Sequence, residues 1–179
     1  MLHLDVSYNK LKSIEQIITL TNLQYLDIGN NQICSLSGVQ NMYNLCVIEA
    51  KCNLINDLAY IPQQQNLTTL HLEHNQISQI KQIKQLKYCI YLTELSFGHV
   101  NQNSIPSIQN QQNINQICYD SSYPLFVIKE LPQLQLLDYD DNQGDYGPEN
   151  IYKYISETQR QIARKQYYDD VEQDEFIVE

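Results

Sequence analysis

Apolar residues return along the first half of the chain with a period of 22 residues. Asn9, Asn31, Asn53 and Asn75 are each 22 residues apart, and we number the repeat so that each of them occupies slot nine. Slots one, four, six, eleven, fourteen, seventeen and twenty are apolar in these repeats, and Gln64 alone interrupts the pattern. A period of this length is typical of solenoids, in which neighbouring repeats bury each other's apolar faces.

The spacing inside each repeat predicts its local structure. Apolar slots four and six alternate with polar residues, which indicates a short β-strand with one buried face. The Asn at slot nine follows the strand, and its amide is suited to pairing with backbone groups that would otherwise be buried without partners. The later apolar slots recur every three residues, which favours 3₁₀-like or helical turns on the opposite side of the solenoid.

The period becomes irregular after the third repeat. Repeat four runs for 25 residues, and repeat five begins at Leu92 and loses its register after Phe97. Val100 stands where slot nine should hold Asn, so we expect Asn101 or Asn103 to take over in a lengthened turn. Residues 98–116 are rich in Asn, Gln and Ser, and we predict an inserted loop there.

The pattern L-x-x-L-x-L-x-x-N-x-I-x-x-I-x-x-L-x-x-L-x-x resembles the leucine-rich repeat family, in particular its 22-residue subclass. The resemblance covers roughly residues 1–141. It implies an α/β solenoid with short parallel strands on a concave face and 3₁₀ or α turns on a convex face. The subclass includes a phosphatase regulatory subunit, an axonemal dynein light chain and the A-prime protein of a splicing particle.

Residues 114–141 resemble the cap that follows the last repeat in this family, so we place the repeats in residues 1–113. Gln116 and Pro124 depart from the Pro and Arg that the cap usually carries. Pro124 still suits the start of a helix, and Pro132 should end it. At the other end, Met1 already occupies slot one, and we expect further repeats or another chain to cover this apolar edge.

Residues 142–179 differ in composition, and we predict a helix followed by an acidic tail. One face of the helix carries Ile151, Tyr154, Ile155, Thr158 and Ile162, and it either packs on the cap or docks on a partner. The tail is either solvated or bound to a basic patch of a partner. Its acidic residues are Asp169, Asp170, Glu172, Asp174, Glu175 and Glu179.

Composition adds an unusual feature, because the chain holds 17 Asn and 23 Gln in 179 residues. Within the repeats most of them fall at solvent-facing slots or at slot nine, so a prion-like interpretation stays open only for residues 98–116. The net charge of −10 argues against direct nucleic-acid binding. The sequence holds no apolar run long enough to span a membrane. The five cysteines form no C-x-x-C pair, and we expect reduced thiols.

No phosphate loop, nucleophile elbow or zinc helix is present in the sequence, and we expect neither an enzyme nor a cofactor. Cys52, His74 and His99 share slot eight, so a metal ladder is conceivable, but we favour partner contact and predict no metal. The lysines at every third position, Lys81, Lys84 and Lys87, form either a solvated face or a contact for an acidic surface.

We therefore predict a non-enzymatic scaffold that binds a protein partner on its concave face. Tyr8 and Tyr25 are the best anchors, because aromatic rings offer a large contact area at low entropic cost. Abundant Asn, Gln, Ile and Tyr with scarce Ala, Gly and Pro suggest an AT-rich genome, such as a ciliate's. Together with the resemblance to ciliary members of the family, this favours a ciliary or axonemal component, with the cytoplasm as the next location. A phosphatase regulatory subunit and an A-prime-like splicing protein are the alternatives. The predicted contact residues are His3, Asp5, Tyr8, Tyr25, Asp27, Asn30, Glu49, Lys51, His71, Glu73, His74, Glu94 and His99.

Overall fold

A parallel sheet runs through the described part of the chain, with its strands in chain order. The computed structural model describes residues 2–61, 65–98, 115–120 and 122–138. The six strands are β1 (His3–Asp5), β2 (Tyr25–Asp27), β3 (Val47–Glu49), β4 (Thr69–His71), β5 (Glu94–Ser96) and β6 (Leu136–Leu137). A parallel sheet needs a long connection between consecutive strands, and each repeat supplies one.

The strand register reproduces the sequence period. Leu4 pairs with Leu26, and Leu26 pairs with Ile48, so equivalent slots lie side by side. The buried slot-four side chains of β2 to β6 form the centre of the core, and all have zero exposure: Leu26, Ile48, Leu70, Leu95 and Leu137. The predicted solenoid of short parallel strands is confirmed.

The opposite side of the solenoid consists of 3₁₀ helices, as the three-residue spacing predicted. They span Glu15–Ile17, Ser37–Val39 and Ile80–Tyr88 in repeats one, two and four. The helix Ile80–Tyr88 has nine residues, and it lies in the repeat that is three residues longer than the others.

Adjacent convex turns approach each other closely at Gly38. A Cβ atom at this position would lie 2.0 Å from the carbonyl oxygen of Ile14, which is far inside van der Waals contact. Only glycine therefore allows the turns of repeats one and two to pack at this distance.

The end of the repeat stack is covered by a 3₁₀ helix (Gln116–Tyr119), the helix α1 (Tyr123–Glu130) and β6. Helix α1 has Pro124 in its first turn and ends before Pro132, as predicted. Val127, Leu131 and Leu134 are buried in the common core, and α1 packs against the 3₁₀ helix Ile80–Tyr88 of repeat four. The cap thus shields the apolar surface that β5 would otherwise expose.

Several predictions fall outside the described residues. These are the helix and acidic tail of residues 142–179, Gln64, His99 and most of the loop 98–116. The boundaries at 113 and 141 stay predictions. In the part that the structure describes, no helix is long and apolar enough to cross a membrane.

Candidate functional site on the concave face

The side of the sheet that faces away from the 3₁₀ helices is the candidate site. We call it the concave face and define it by slots three, five, seven and eight. Slot four points into the core, so slots three and five point outward, because successive side chains of a strand alternate between faces. In β2, β3 and β4 the burial pattern is half-buried, buried, half-buried, which fits one covered and one open face.

A ladder of slot-nine asparagines fixes the turn that follows each strand. Oδ1 of Asn53 accepts a hydrogen bond from the backbone N–H of Ile33 at 2.9 Å. Its Nδ2 donates to the carbonyl oxygens of Ile28 at 2.9 Å and Ala50 at 3.2 Å. Asn31 and Asn75 make equivalent bonds. The predicted role of slot nine is confirmed, and each amide joins two repeats.

Asn115 holds this position in repeat five. Its Oδ1 accepts from the N–H of Ile77 at 2.9 Å, and its Nδ2 donates to the carbonyl oxygens of Leu72 at 2.7 Å and Phe97 at 2.8 Å. The expectation that Asn101 or Asn103 would fill slot nine is therefore wrong. The period pointed to position 100, so the repeat carries 15 additional residues before its slot-nine asparagine.

The local sequence pattern does not show which of Asn101, Asn103 and Asn115 occupies slot nine. Ile105 and Ile108 follow Asn103 by two and five residues, as slots eleven and fourteen would. Asn115 is followed by Ile117, which is buried, but by no apolar residue at the next position of the pattern. The structure selects Asn115 because its amide reaches the carbonyl groups of two neighbouring repeats.

The backbone at slot eight is left-handed in every repeat from one to four. Tyr8, Asn30, Cys52 and His74 have φ angles between 54° and 56°, a region that side chains other than Asn, Asp and His seldom occupy. The turn places Tyr8 far into solvent, with 80% of its surface exposed. His74 is exposed as well, whereas Asn30 and Cys52 are half-buried.

The slot-eight metal ladder gains no support from this geometry. Burial raises the pKa of the Cys52 thiol, which disfavours the thiolate that a metal would need. His99, the third member, lies outside the described residues. Among the residues that the structure does describe, no group of three or more His, Cys, Asp or Glu side chains is arranged to hold a metal ion.

An aromatic pair occupies one end of the concave face. The rings of His3 and Tyr25 stack with centroids 4.2 Å apart and planes inclined by 6°. Burial, followed by the nearby charges of Glu49, Asp27 and Asp5, raises the pKa of the Tyr25 hydroxyl. The pair presents a flat surface next to acidic side chains.

Asp5 and Asp27 follow these rings at slot five of the same strands. Oδ1 of Asp27 accepts from the N–H of Gly29 at 2.8 Å. Oδ1 of Asp5 accepts from the N–H and the hydroxyl of Ser7 at 2.9 and 2.7 Å. The hydrogen bond from the Ser7 hydroxyl is the main cause of the lowered pKa of Asp5. Both carboxylates therefore fix the backbone behind the strand and add negative charge to the face.

The centre of the concave face holds a three-residue bridge, Glu49–His71–Glu94. Nδ1 of His71 lies 2.9 Å from Oε2 of Glu49, and Nε2 lies 3.2 Å from Oε1 of Glu94. The three side chains come from β3, β4 and β5, so the imidazole links three consecutive repeats. The side chain of His71 is only 19% exposed.

The surroundings of His71 favour its protonated form. Burial alone would lower its pKa, but the hydrogen bond to Glu49 and the charges of Glu49, Glu73 and Glu94 outweigh burial and raise the pKa to about 9. The hydrogen bond to His71 in turn lowers the pKa of Glu49. At neutral pH both ring nitrogens therefore donate to carboxylates, and the bridge carries one net negative charge.

The remaining predicted residues lie at the edges of this bridge. Lys51 is exposed at slot seven of repeat three, and Glu73 is half-buried at slot seven of repeat four. One carboxylate oxygen of Glu73 is buried without a hydrogen-bond partner among the described residues. The sequence prediction omitted Val47, Thr69 and Ser96, which occupy outward slots on β3, β4 and β5 and could have been found by the period alone.

Asp138 was also missed as a key residue, although the cap motif contains it. Its Oδ1 accepts from the N–H groups of Phe97 at 2.8 Å and Gly98 at 3.1 Å. Its Oδ2 accepts from the hydroxyl of Tyr123 at 2.9 Å. Burial raises the pKa of Asp138 to about 7, even though these hydrogen bonds favour the carboxylate. Asp138 thus ties the end of β5 to the cap.

Comparison with known families identifies the repeats. Models of leucine-rich repeats match residues 2–41, as two copies, and residues 63–79. The matched repeats and the parallel sheet together show a leucine-rich repeat solenoid fold. No curated protein matches the sequence significantly.

Several solved structures share the fold of this chain. A chain of the Drosophila melanogaster SNF/U2A′ complex aligns with a TM-score of 0.67 and 20% identity over 96% of this chain and 87% of that one. An internalin from Listeria monocytogenes aligns at 0.55 and 25% identity over 76% of this chain, which spans 34% of the internalin. A Leptospira interrogans leucine-rich repeat protein aligns at 0.58 and 24% identity, over 78% and 37%.

Proposed function

We propose that this leucine-rich repeat protein is a non-enzymatic scaffold that binds a protein partner on its concave face. The observation that carries the proposal is the outward row of half-exposed side chains held in register by the strands and the asparagine ladder. A preorganised surface of this kind loses little conformational entropy when a partner binds.

The chemistry of the face favours a partner that contributes basic side chains. Its described charged residues are the acids Asp5, Asp27, Glu49, Glu73 and Glu94, with Lys51 and the protonated His71 as the cations. Charge complementarity across an interface speeds association and excludes partners of the wrong charge. The stacked rings of His3 and Tyr25 add an aromatic contact beside the aspartates.

Tyr8 and Tyr25 provide the sharpest test, because neither belongs to the apolar core. We expect Tyr8→Ala combined with Tyr25→Ala to weaken capture of the partner by about tenfold or more, which is the scale of losing an aromatic anchor. Tagged full-length protein would be used for affinity capture from the source cells, with quantitative mass spectrometry of the bound proteins.

Tyr43→Ala combined with Tyr119→Ala is the matched control. Both tyrosines are exposed, but they lie outside the concave slots, so this variant should retain the partner. Retention of the same partner at unchanged strength by the Tyr8 and Tyr25 variant would contradict binding on the concave face. His71 is left intact because its bridge also supports the fold.

The cellular setting that we propose is the cilium, as an axonemal structural or assembly component. This rests on the Asn- and Gln-rich composition and on the resemblance of the repeats and cap to the 22-residue subclass. An A-prime-like splicing protein is the main alternative, and a phosphatase regulatory subunit is the other. A tagged copy found in cilia supports the proposal, whereas a nuclear location favours the splicing alternative and a cytosolic location the phosphatase one.

A further inference from the structure

A straight row of lysines runs along the 3₁₀ helix Ile80–Tyr88. In a 3₁₀ helix the side chains at positions i and i+3 eclipse, so residues spaced by three form one row with a step of about 6 Å. Ile83 and Leu86 belong to the row that is buried in the core. Gln82 belongs to a second row and bonds to repeat three. The third row, which we call the lysine row, consists of Lys81, Lys84 and Lys87.

The lysine row is exposed and lies beside the cap helix. Nζ of Lys84 is 3.5 Å from Oε1 of Glu130 and 6.0 Å from the ring centroid of Phe126, both on α1. Nζ of Lys87 lies 5.0 Å from the ring centroid of Tyr88. The ion pair with Glu130 leaves the row with a surplus of positive charge on a chain whose net charge is −10.

Apolar side chains continue the surface beyond the lysines. Tyr88, Ile90 and Tyr91 follow Lys87 directly in the chain and are 56%, 60% and 58% exposed. In chain order the surface therefore presents three cations and then three exposed apolar groups. A ligand that fits it needs carboxylates at a spacing near 6 Å, followed by apolar side chains.

The acidic end of the same chain has this pattern. In an extended segment, alternate side chains lie on one side, about 6.6–6.8 Å apart. From position 170 onward, one such side carries three acids and then two apolar residues: Asp170, Glu172, Asp174, Phe176 and Val178. We propose that residues 169–179 dock in an extended form on the lysine row, with Phe176 and Val178 against the exposed apolar groups.

The connection between the cap and the acidic segment 169–179 is long enough for the segment to dock on the lysine row of the same chain. Thirty residues, 139–168, separate Asp138 from the acidic segment. With about 15 of these residues in the predicted helix and the others extended, the connection reaches about 70 Å, which is more than the span of the small cap. Attachment to the same chain also gives the segment an effective concentration of roughly millimolar order, well above that of a second copy at micromolar concentration.

Carbodiimide cross-linking of the full chain, followed by peptide mass spectrometry, tests this proposal. The reagent joins amines and carboxylates that are in direct contact. We expect amide links from the lysine row to Asp170, Glu172 and Asp174, at a yield about tenfold above links from the same acids to Lys10 and Lys12. High salt should suppress these links, because 1 M salt reduces the Debye length to about 3 Å.

Exchanging the charges of the two segments tests whether the cross-links reflect specific pairing or mere proximity. Replacing the three lysines by Glu should abolish docking, and adding Asp170→Lys, Glu172→Lys and Asp174→Lys should restore links between the same positions. The link between Lys84 and Glu130 reports that the unmodified protein is folded and reactive.

Three results would overturn the proposal. One is equal linking of the acids to Lys10, Lys12 and the lysine row. Another is predominant linking between chains in a mixture of ¹⁴N- and ¹⁵N-labelled protein, which would make a second copy the occupant. The last is absence of the predicted links while Lys84 and Glu130 are joined.

Discussion

At the scale of single residues, His71 acts as a cationic link inside a face that is otherwise acidic. Its two ring nitrogens contact carboxylates on the strands before and after its own. A neutral imidazole can donate only one of these hydrogen bonds, so the full bridge exists only when the ring is protonated. The stability that the bridge contributes must therefore depend on pH.

The first prediction concerns this pH dependence. The pKa of His71 is raised from 6.5 to about 9, so its contribution is fully present below pH 6.5 and is lost as the pH rises through 9. Between pH 6.5 and 8.5 we expect the loss of this contribution to lower the free energy of unfolding by about 2 kcal/mol, in addition to a smaller loss from Asp138, whose pKa is raised to about 7. Urea unfolding at a series of pH values measures this change.

His71→Gln is the matched variant, since its amide keeps polar contacts but does not titrate. Between pH 6.5 and 8.5 its free energy of unfolding should fall by about 2 kcal/mol less than that of the wild type, because only the smaller loss from Asp138 remains. The series should stop near pH 8.5, because burial raises the pKa of the Cys89 thiol to about 12 and a second loss of stability begins above pH 9. Identical slopes for wild type and variant would contradict a protonated bridge.

At the scale of elements, the slot-nine asparagine links a strand to the preceding repeat through hydrogen bonds with the backbone. Asn75 is fully buried and binds backbone groups of repeat three and of its own repeat. Asn9 occupies the same slot, but it is exposed, and its amide donates to the nearby carbonyl groups of Val6 and Ser7. The same residue in the same slot thus has very different surroundings.

This contrast gives the second prediction. Asn75→Ala leaves the N–H of Ile55 without its partner and removes one of the two amide donors to the carbonyl group of Ala50, so it should lower the free energy of unfolding by about 3 kcal/mol. Asn9→Ala should cost less than about 1 kcal/mol, because water replaces the lost bonds. Urea unfolding of both variants tests the comparison, and similar costs would show that the ladder does not carry the stability of the turns.

Much of each element could be predicted from the sequence, because the period fixes which residues lie side by side. The strands, the 3₁₀ turns and the limits of α1 follow from alternation, three-residue spacing and the positions of Pro124 and Pro132. The bridge of His71 could not be predicted, because the outward slots show which residues are neighbours but not which rotamers bring a ring nitrogen to a carboxylate. The left-handed backbone at Tyr8 and Cys52 also went unpredicted, since these residue types do not signal it.

At the scale of the whole molecule, the stack stays in register although one repeat carries a long insertion. Gly98 bonds to the cap and Asn115 bonds to repeat four, so the described residues on both sides of the insertion keep their places in the stack. The period alone could not locate the end of this insertion, because asparagines are abundant between these points. The contacts of Asn115 with repeat four and with Phe97 identify it.

The third prediction follows from this assignment. Asn115→Ala should lower the free energy of unfolding by about 3 kcal/mol, as at Asn75, because the N–H of Ile77 loses its partner and the carbonyl groups of Leu72 and Phe97 each lose an amide donor. Asn101→Ala and Asn103→Ala should change it by less than about 0.5 kcal/mol, as expected of positions outside the ladder. Denaturation of the three variants under one set of conditions decides the assignment. A large loss in the free energy of unfolding for Asn101→Ala or Asn103→Ala would instead assign slot nine to that residue.

The point where this insertion joins the repeats has a use in protein engineering. Nδ2 of Asn115 donates to the carbonyl oxygen of Phe97 at 2.8 Å, and Asp138 holds the N–H of the same Phe97. The residues at the two ends of the insertion, Phe97 and Asn115, are thus held close together by the solenoid and its cap. Since the entropic cost of closing a loop grows only slowly with its length, foreign sequence can replace residues 101–112 without disturbing the strands. A recognition loop or a small domain grafted there would stand at a fixed place on a rigid support.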